Sequence, residues 1–316
     1  KLSTSFIILL SVIVTLSPYF RTTAFWSLGE NYAIIFLLLS YLFYSKIKKN
    51  INILSENKKK YSILLLCFLS SLIVYFDQKL VFIPFLVLYL IFSLKIKTNL
   101  KLLTLFYFFI FSLPYFHLMF LWQGFIPSNA NFAREVGTSI HLFNPGYCML
   151  IIFTAVFPFI FSKKKVLENL KKKIFFKRNI YFIYLFFSYM IIITFLGDFE
   201  NLRIEGKGAF HKVSLILIEN ISLRFFITTV FFLLSLVFIL SVFEHSNDRS
   251  MIFFLILSSL FIFPFFQEYL DPLIYVLIFS FFKSKFEVNK IKFIYFLSFY
   301  YFLFSLSAKY YYSTIA

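Results

Sequence analysis

Eleven stretches of this chain, each 11 to 20 residues long, contain no Lys, Arg, Asp or Glu. They run over residues 2–19, 31–45, 61–76, 80–94, 102–121, 147–162, 180–196, 225–243, 251–266, 272–282 and 293–308. A helix that crosses a bilayer needs about 20 mostly apolar residues, so the shorter runs must extend into their flanks or be re-entrant. Barrel strands would alternate apolar and polar residues, whereas these runs are apolar on every side. A chain that is 61% hydrophobic and 14% charged lies outside the range of soluble domains. The expected fold is therefore all-α, a polytopic transmembrane helix bundle of about eleven spans, with residues 1–316 as a single transmembrane domain and 122–146 and 197–222 as its longer outer loops.

Eleven spans alternate sides, and the charges test that segmentation. Twenty-two of the 31 Lys and Arg residues fall in the connections after even-numbered spans, in clusters such as Lys58 to Lys60 and Lys163 to Lys165. The positive-inside rule makes these Lys-rich loops cytoplasmic, together with Lys1. Nine of the 14 acids, among them Glu30, Asp77, Asp198, Glu268 and Asp271, fall on the other side. The inner loops read as plain lysine tethers, which assigns any chemistry to the outer face. The net charge of +17 has the same origin, so nucleic acid is not an expected partner and membrane lipids are. The heavy use of Phe, Ile, Lys and Asn points to an AT-rich genome, and the expected location is a bacterial cytoplasmic membrane. Cys67 and Cys148 lie in or at the edge of apolar runs, with no Cys or His at metal-site spacing. No cofactor is implied, though the outer acids leave room for a divalent cation.

Four outer segments hold the candidate site residues. The first, 18–31, has Arg21, whose planar fork suits a phosphate; the plainer reading is an aromatic belt with one snorkelling Arg. Asp77, Gln78 and Lys79 make a turn tight enough to fold two spans into an antiparallel hairpin. Loop 122–146 combines Trp122, Arg134, His141 and Asn144, which can stack on a sugar ring, hold a phosphate and bond hydroxyls; a lone His in a loop is more often simply solvated. Segment 197–222 ends in the apolar run 213–218, read as a short helix lying in the membrane interface or as an approach to the eighth span. Between two apolar runs stand Glu268, Tyr269 and Asp271. A charge at the bilayer centre costs roughly 2.5–3.5 kcal/mol, so acids near membrane depth are functional candidates. Pro272 suits the first turn of a helix, which makes Asp271 a candidate N-cap, while Glu268 has no such role.

These residues resemble a family, the C-type integral-membrane glycosyltransferases that use polyprenyl-phosphate sugars, and within it the branch of dolichyl-phosphate-glucose α-1,2-glucosyltransferases. Glu268, Tyr269 and Pro272 are similar to that branch's acid, aromatic and Pro before a late span, although its Arg beside the Tyr is absent. Trp122-Gln123-Gly124 matches a Trp-x-Gly loop opening. His141, Asn144 and Tyr147 resemble a His-x-x-Gln-x-x-Tyr motif with Asn for Gln, and Phe76-Asp77-Gln78 echoes a Phe-Arg-Gln turn with Asp for Arg. The resemblance implies a C-type helical bundle that moves a hexose from a polyprenyl phosphate to a lipid-linked or surface glycan acceptor. It also implies Arg21 and Arg134 at phosphate, Trp122, His141, Asn144 and Tyr269 at sugar, and Glu268 and Asp271 as supporting groups. In such enzymes the catalytic acid lies in the first outer loop. Matching loop 18–31 to the second puts that acid upstream of Lys1 and makes the chain the C-terminal part of a longer protein. The alternatives are a transporter or flippase of lipid-linked sugars, an O-antigen polymerase or ligase, and a non-catalytic membrane protein.

Overall fold

The computed structural model describes residues 29–77, 80–123, 140–162, 177–199, 207–243, 245–262, 267, 270–283 and 291–315. Every regular element among them is helical. Ten of the eleven expected runs fall on helices; the first, 2–19, lies outside the described residues. Among the described residues, three helices are long and apolar enough to cross a membrane, Glu56–Phe76, Thr98–Trp122 and Ile221–Val242. The described residues form two compact units.

The first unit contains α1 (Gly29–Asn50), α2 (Glu56–Phe76), α3 (Phe82–Phe92) and α4 (Thr98–Trp122). Helix α2 organises it. Its buried residues Ile63, Leu66, Cys67, Ser70, Ile73 and Val74 recur every three or four positions, which is one face of a helix. Ser70, Ser71 and the buried Ser40 of α1 are small, and small residues let helix backbones approach closely. Phe76 at the end of α2 stacks on Tyr32 and Phe36 near the start of α1, so the pair is antiparallel. Helix α3 begins six residues after α2 ends, and the backbone of Asp77 bonds to both sides of the turn, to Ile73 and Leu80. The tight hairpin expected at 77–79 is therefore present, although residues 78–79 themselves are not described. Helix α4 meets α2 where Tyr75 donates its hydroxyl to the Phe111 carbonyl (2.7 Å) and where Phe68 meets Phe111. Otherwise α4 is strongly exposed: only 6% of its most apolar window is buried. At the other end, Lys97 forms an ion pair with Glu56 that holds the Glu56 carboxyl below its ordinary pKa.

The second unit contains α5 (Asn144–Val156), α6 (Lys177–Leu196), α7 (Gly208–Leu217), α8 (Ile221–Val242), α9 (Ser246–Ser258), α10 (Asp271–Val276) and α11 (Ile291–Ile315). Helix α5 is its centre. It carries no charge and is buried on all sides, from Asn144 through Ile152 and again at Ala155 and Val156, as a helix apolar around its circumference must be. Helices α7, α8, α9 and α10 pack on it directly. Carbonyls near its C-terminal end accept tyrosine hydroxyls: Tyr300 bonds to Thr154 (2.7 Å) and Tyr275 to Ala155 (3.1 Å). Several helices change winding: α5 continues as a 3-10 helix, Phe157–Ser162, α9 as a 3-10 turn, Ser259–Phe261, and α10 as a π-helix, Leu277–Phe281. The chain after that π-helix is fixed by Asp248 of α9, which is fully buried and accepts the Lys283 N–H on both carboxylate oxygens (3.1 Å each).

Candidate functional site

The richest polar cluster lies around the N-terminal end of α5. Pro145 opens this helix, where its fixed φ is suited and its missing N–H costs no hydrogen bond. The preceding turn is anchored to the end of α9: the His141 N–H donates to the Leu260 carbonyl (2.8 Å) and the Asn144 side-chain amide donates to the Ser259 carbonyl (3.2 Å). Tyr189 of α6 ties the same turn from the other side, donating to the Leu142 carbonyl (2.9 Å) and accepting from the Gly146 N–H (3.1 Å). Gly146 must lack a side chain, because a Cβ there would overlap the Phe232 ring of α8.

At the middle of the cluster Tyr147 Oη and His211 Nδ1 are 2.8 Å apart, with both residues almost completely buried. Either tautomer serves: the phenol donates to a bare Nδ1, or Nδ1–H donates to the phenolic oxygen. Edge-on ring contacts of Tyr147 with His211 (5.0 Å) and with Phe232 (5.2 Å) fix the orientation further. One turn before Phe232, Thr228 is buried with no hydrogen-bond partner for its hydroxyl among the described residues.

Helix α7 is turned inside out. Gly208, His211 and Ser214, three residues apart, are buried, whereas Val213, Ile216 and Leu217 are exposed, Ile216 by 65% and Leu217 by 75%. Its start is set by Lys207 and Gly208, both left-handed with φ of 60° and 78°. The space beside Gly208 is filled by Gln267, whose side-chain oxygen accepts the Ala209 N–H (3.1 Å), one of the donors that a helix start leaves unsatisfied. An aromatic group closes the other side, with Phe143 against Phe199 and Phe225, and the Arg224 guanidinium over Phe199 at 5.7 Å.

The expected site residues are distributed as follows. His141 and Asn144 are in this cluster; His141 is partly exposed, while Asn144 is buried and its amide holds the turn. Trp122 is the last residue of α4, in the first unit, where Gln123 stops the helix in a left-handed conformation. Asp271 is not the N-cap expected of it: that position is Leu270, and Asp271 is the first residue of α10, with Pro272 next in the first turn as expected. Arg21, Arg134, Glu268 and Tyr269 lie outside the described residues. Sequence reasoning did not single out Tyr189, His211, Ser214, Thr228 or Gln267 as site residues. A signal for α7 exists in hindsight, since Gly208, His211 and Ser214 draw a polar stripe at helical spacing through an apolar run. No group of three His, Cys, Asp or Glu residues that can hold a metal is found among the described residues. Cys67 and Cys148 are buried and not disulfide-bonded. Compared with protein-family models, with curated proteins and with solved structures, the chain has no match.

Proposed function

We propose that this chain is a multi-pass membrane protein that transfers a hexose from a polyprenyl-phosphate donor to a glycan acceptor, in the manner of the C-type glycosyltransferases. One observation carries the reading. Residues 141–147, 207–214 and 267 belong to three connections that the lysine bias assigns to the outer side, and they meet in one cluster around Tyr147 and His211. A polar cluster built from three separate loops at one end of a helical bundle is where a sugar can be held by several hydrogen bonds and an aromatic face.

The membrane part of the reading is supported by the three long apolar helices and by α7. Exposing Leu and Ile while burying His and Ser is unfavourable in water, where each exposed Leu or Ile forgoes roughly 1.5–3 kcal/mol of burial. Against lipid the same arrangement is the favourable one, because buried polar groups find partners inside and apolar groups face hydrocarbon. In the proposed reaction a carboxylate takes the acceptor proton while positive charge steadies the departing phosphate. The supporting acid proposed for this step is Glu268, and the cations proposed to hold the phosphate are Arg21 and Arg134.

The test is transfer from a radiolabelled polyprenyl-phosphate hexose by membranes that carry the protein expressed from its complete gene. Labelled glycan that is lost in a His211→Ala variant is expected; no transfer from any such donor would sink the enzyme reading. The changes of winding in α5, α9 and α10 favour a second reading, a flippase of lipid-linked sugars, since broken helices mark binding sites in transporters. Movement of labelled lipid across vesicles without a new glycosidic bond distinguishes it.

A further inference from the structure

A second site lies in the α1–α4 unit, far in sequence from the Tyr147–His211 cluster. Where the end of α1 meets the start of α2, a cleft of about 420 Å³ opens, lined by Lys46, Asn50, Leu54, Asn57, Lys58 and Tyr61 among others. No acid lines it. The stretch from 46 to 62 carries six lysines and one acid, Glu56, and that carboxylate is engaged by Lys97, outside the cleft. Neither Lys46 nor Lys58 has an ion-pair partner among the described residues. Two ammonium groups with two amides beside them match a phosphate: the cations supply charge and the amides directed N–H groups.

The cleft's surroundings choose the source of that phosphate. Tyr61, which lines it, is 68% exposed, and Leu42 and Ile53, the sequence neighbours of the lining residues Phe43 and Leu54, are exposed by 60% and 85%. A soluble phosphate compound has no use for them, whereas a lipid brings acyl chains to the same place. The cleft also lies in one of the lysine-rich connections, where cytoplasmic anionic lipids gather. We propose that the α1–α2 cleft is a binding site for the phosphate headgroup of an anionic membrane lipid. The inference rests on the membrane part of the proposed function and is independent of the transfer chemistry.

The test uses the full chain purified in a neutral detergent. Binding of phosphatidylglycerol and of phosphatidylcholine is counted by native mass spectrometry, and each lipid's effect on thermal unfolding is followed. Phosphatidylglycerol is expected to bind more tightly and to raise the unfolding temperature. The double variant Lys46→Gln/Lys58→Gln should weaken its binding about tenfold or more, at roughly 1 kcal/mol per lysine. Lys46→Arg/Lys58→Arg should keep it. Lys48→Gln/Lys49→Gln removes equal charge from residues that do not line the cleft, and Lys48 lies instead over the Tyr44 ring; that variant should bind as the parent does. Equal binding of the two lipids, or equal weakening by the Lys48/Lys49 variant, overturns the inference. So does full competition by glycerol 3-phosphate, which would make the ligand a soluble phosphate. Flotation with vesicles separates the two failures: a chain that does not float loses the membrane reading too, and one that floats without lipid preference loses only the cleft.

Discussion

Tyr147 on α5 and His211 on α7 stand 64 residues apart in sequence and share a 2.8 Å hydrogen bond in the interior of the second unit. Removing one partner of a buried hydrogen bond costs about 1–3 kcal/mol, because the desolvated group that remains loses its match. Tyr147→Phe is therefore expected to lower the stability of the purified protein by that order in a thermal or denaturant unfolding experiment. Tyr147→Phe combined with His211→Leu should recover part of the loss, since both ends of the bond are then apolar. If the single variant unfolds as the parent does, the bond is not a determinant of the cluster.

Gly146 and Phe232 form a steric pair. Because a Cβ at Gly146 would overlap the ring, Gly146→Ala is expected to destabilise by about 1–3 kcal/mol, the usual range for overpacking. Phe232→Leu in the same chain should restore some of it, and that non-additivity is the measurement. Additive losses would mean that the ring moves aside freely.

Asp248 holds the Lys283 N–H on both carboxylate oxygens from a fully buried position. Asp248→Asn keeps one acceptor and Asp248→Ala keeps none. The expected order of stability is parent, then Asn, then Ala, with the Ala variant down by about 1.5–3 kcal/mol, the range for a bond to a charged group. Limited proteolysis near residue 283 should quicken in the same order.

The Glu56–Lys97 pair gives a pH test. Hydrogen bonding and charge from Lys97 hold the Glu56 carboxyl below its ordinary value. A depressed folded pKa means that the pair's contribution is present above the ordinary carboxylate range and fades as pH falls through the lowered value. Both side chains are exposed, so stability should barely change. The readout is the carboxyl titration itself, followed by NMR on Glu-labelled protein with Glu56→Gln to assign the signal. Lys97→Gln should move that titration upwards, and an unmoved titration would remove Lys97 as the cause.

The helices were legible because a run without charges has one economical form in an apolar setting, and ten runs indeed fall on helices. Their windings were legible only in part. In 157–162 the mark is Pro158, which has no N–H to give the Thr154 carbonyl, where Tyr300 bonds instead, whereas nothing in 277–281 marks the π-helix. The candidate site was half legible. His141, Asn144 and Tyr147 stand out in a loop of polar residues, but His211 reads as one His in an apolar helix until α7 is seen to face inwards. Gln267 directly precedes the two acids of its segment, Glu268 and Asp271, which carry the stronger chemical signal. Its partner, the Ala209 N–H, is a backbone group, and no side-chain pattern announces it.

The exposed circumference of α4 has a mechanical consequence. Its 25 residues extend about 37 Å at 1.5 Å per residue, and the charge-free part, 102–121, about 30 Å. In the bilayer proposed here almost all neighbours of this helix are acyl chains, and Tyr75 and Phe68 of α2 give it only a narrow seam. Its tilt is then set by hydrocarbon thickness more than by protein contacts. Thinner membranes would lean α4 about that seam while the tightly packed α1–α2 pair stays in place, which makes α4 the element of this unit most responsive to lipid length.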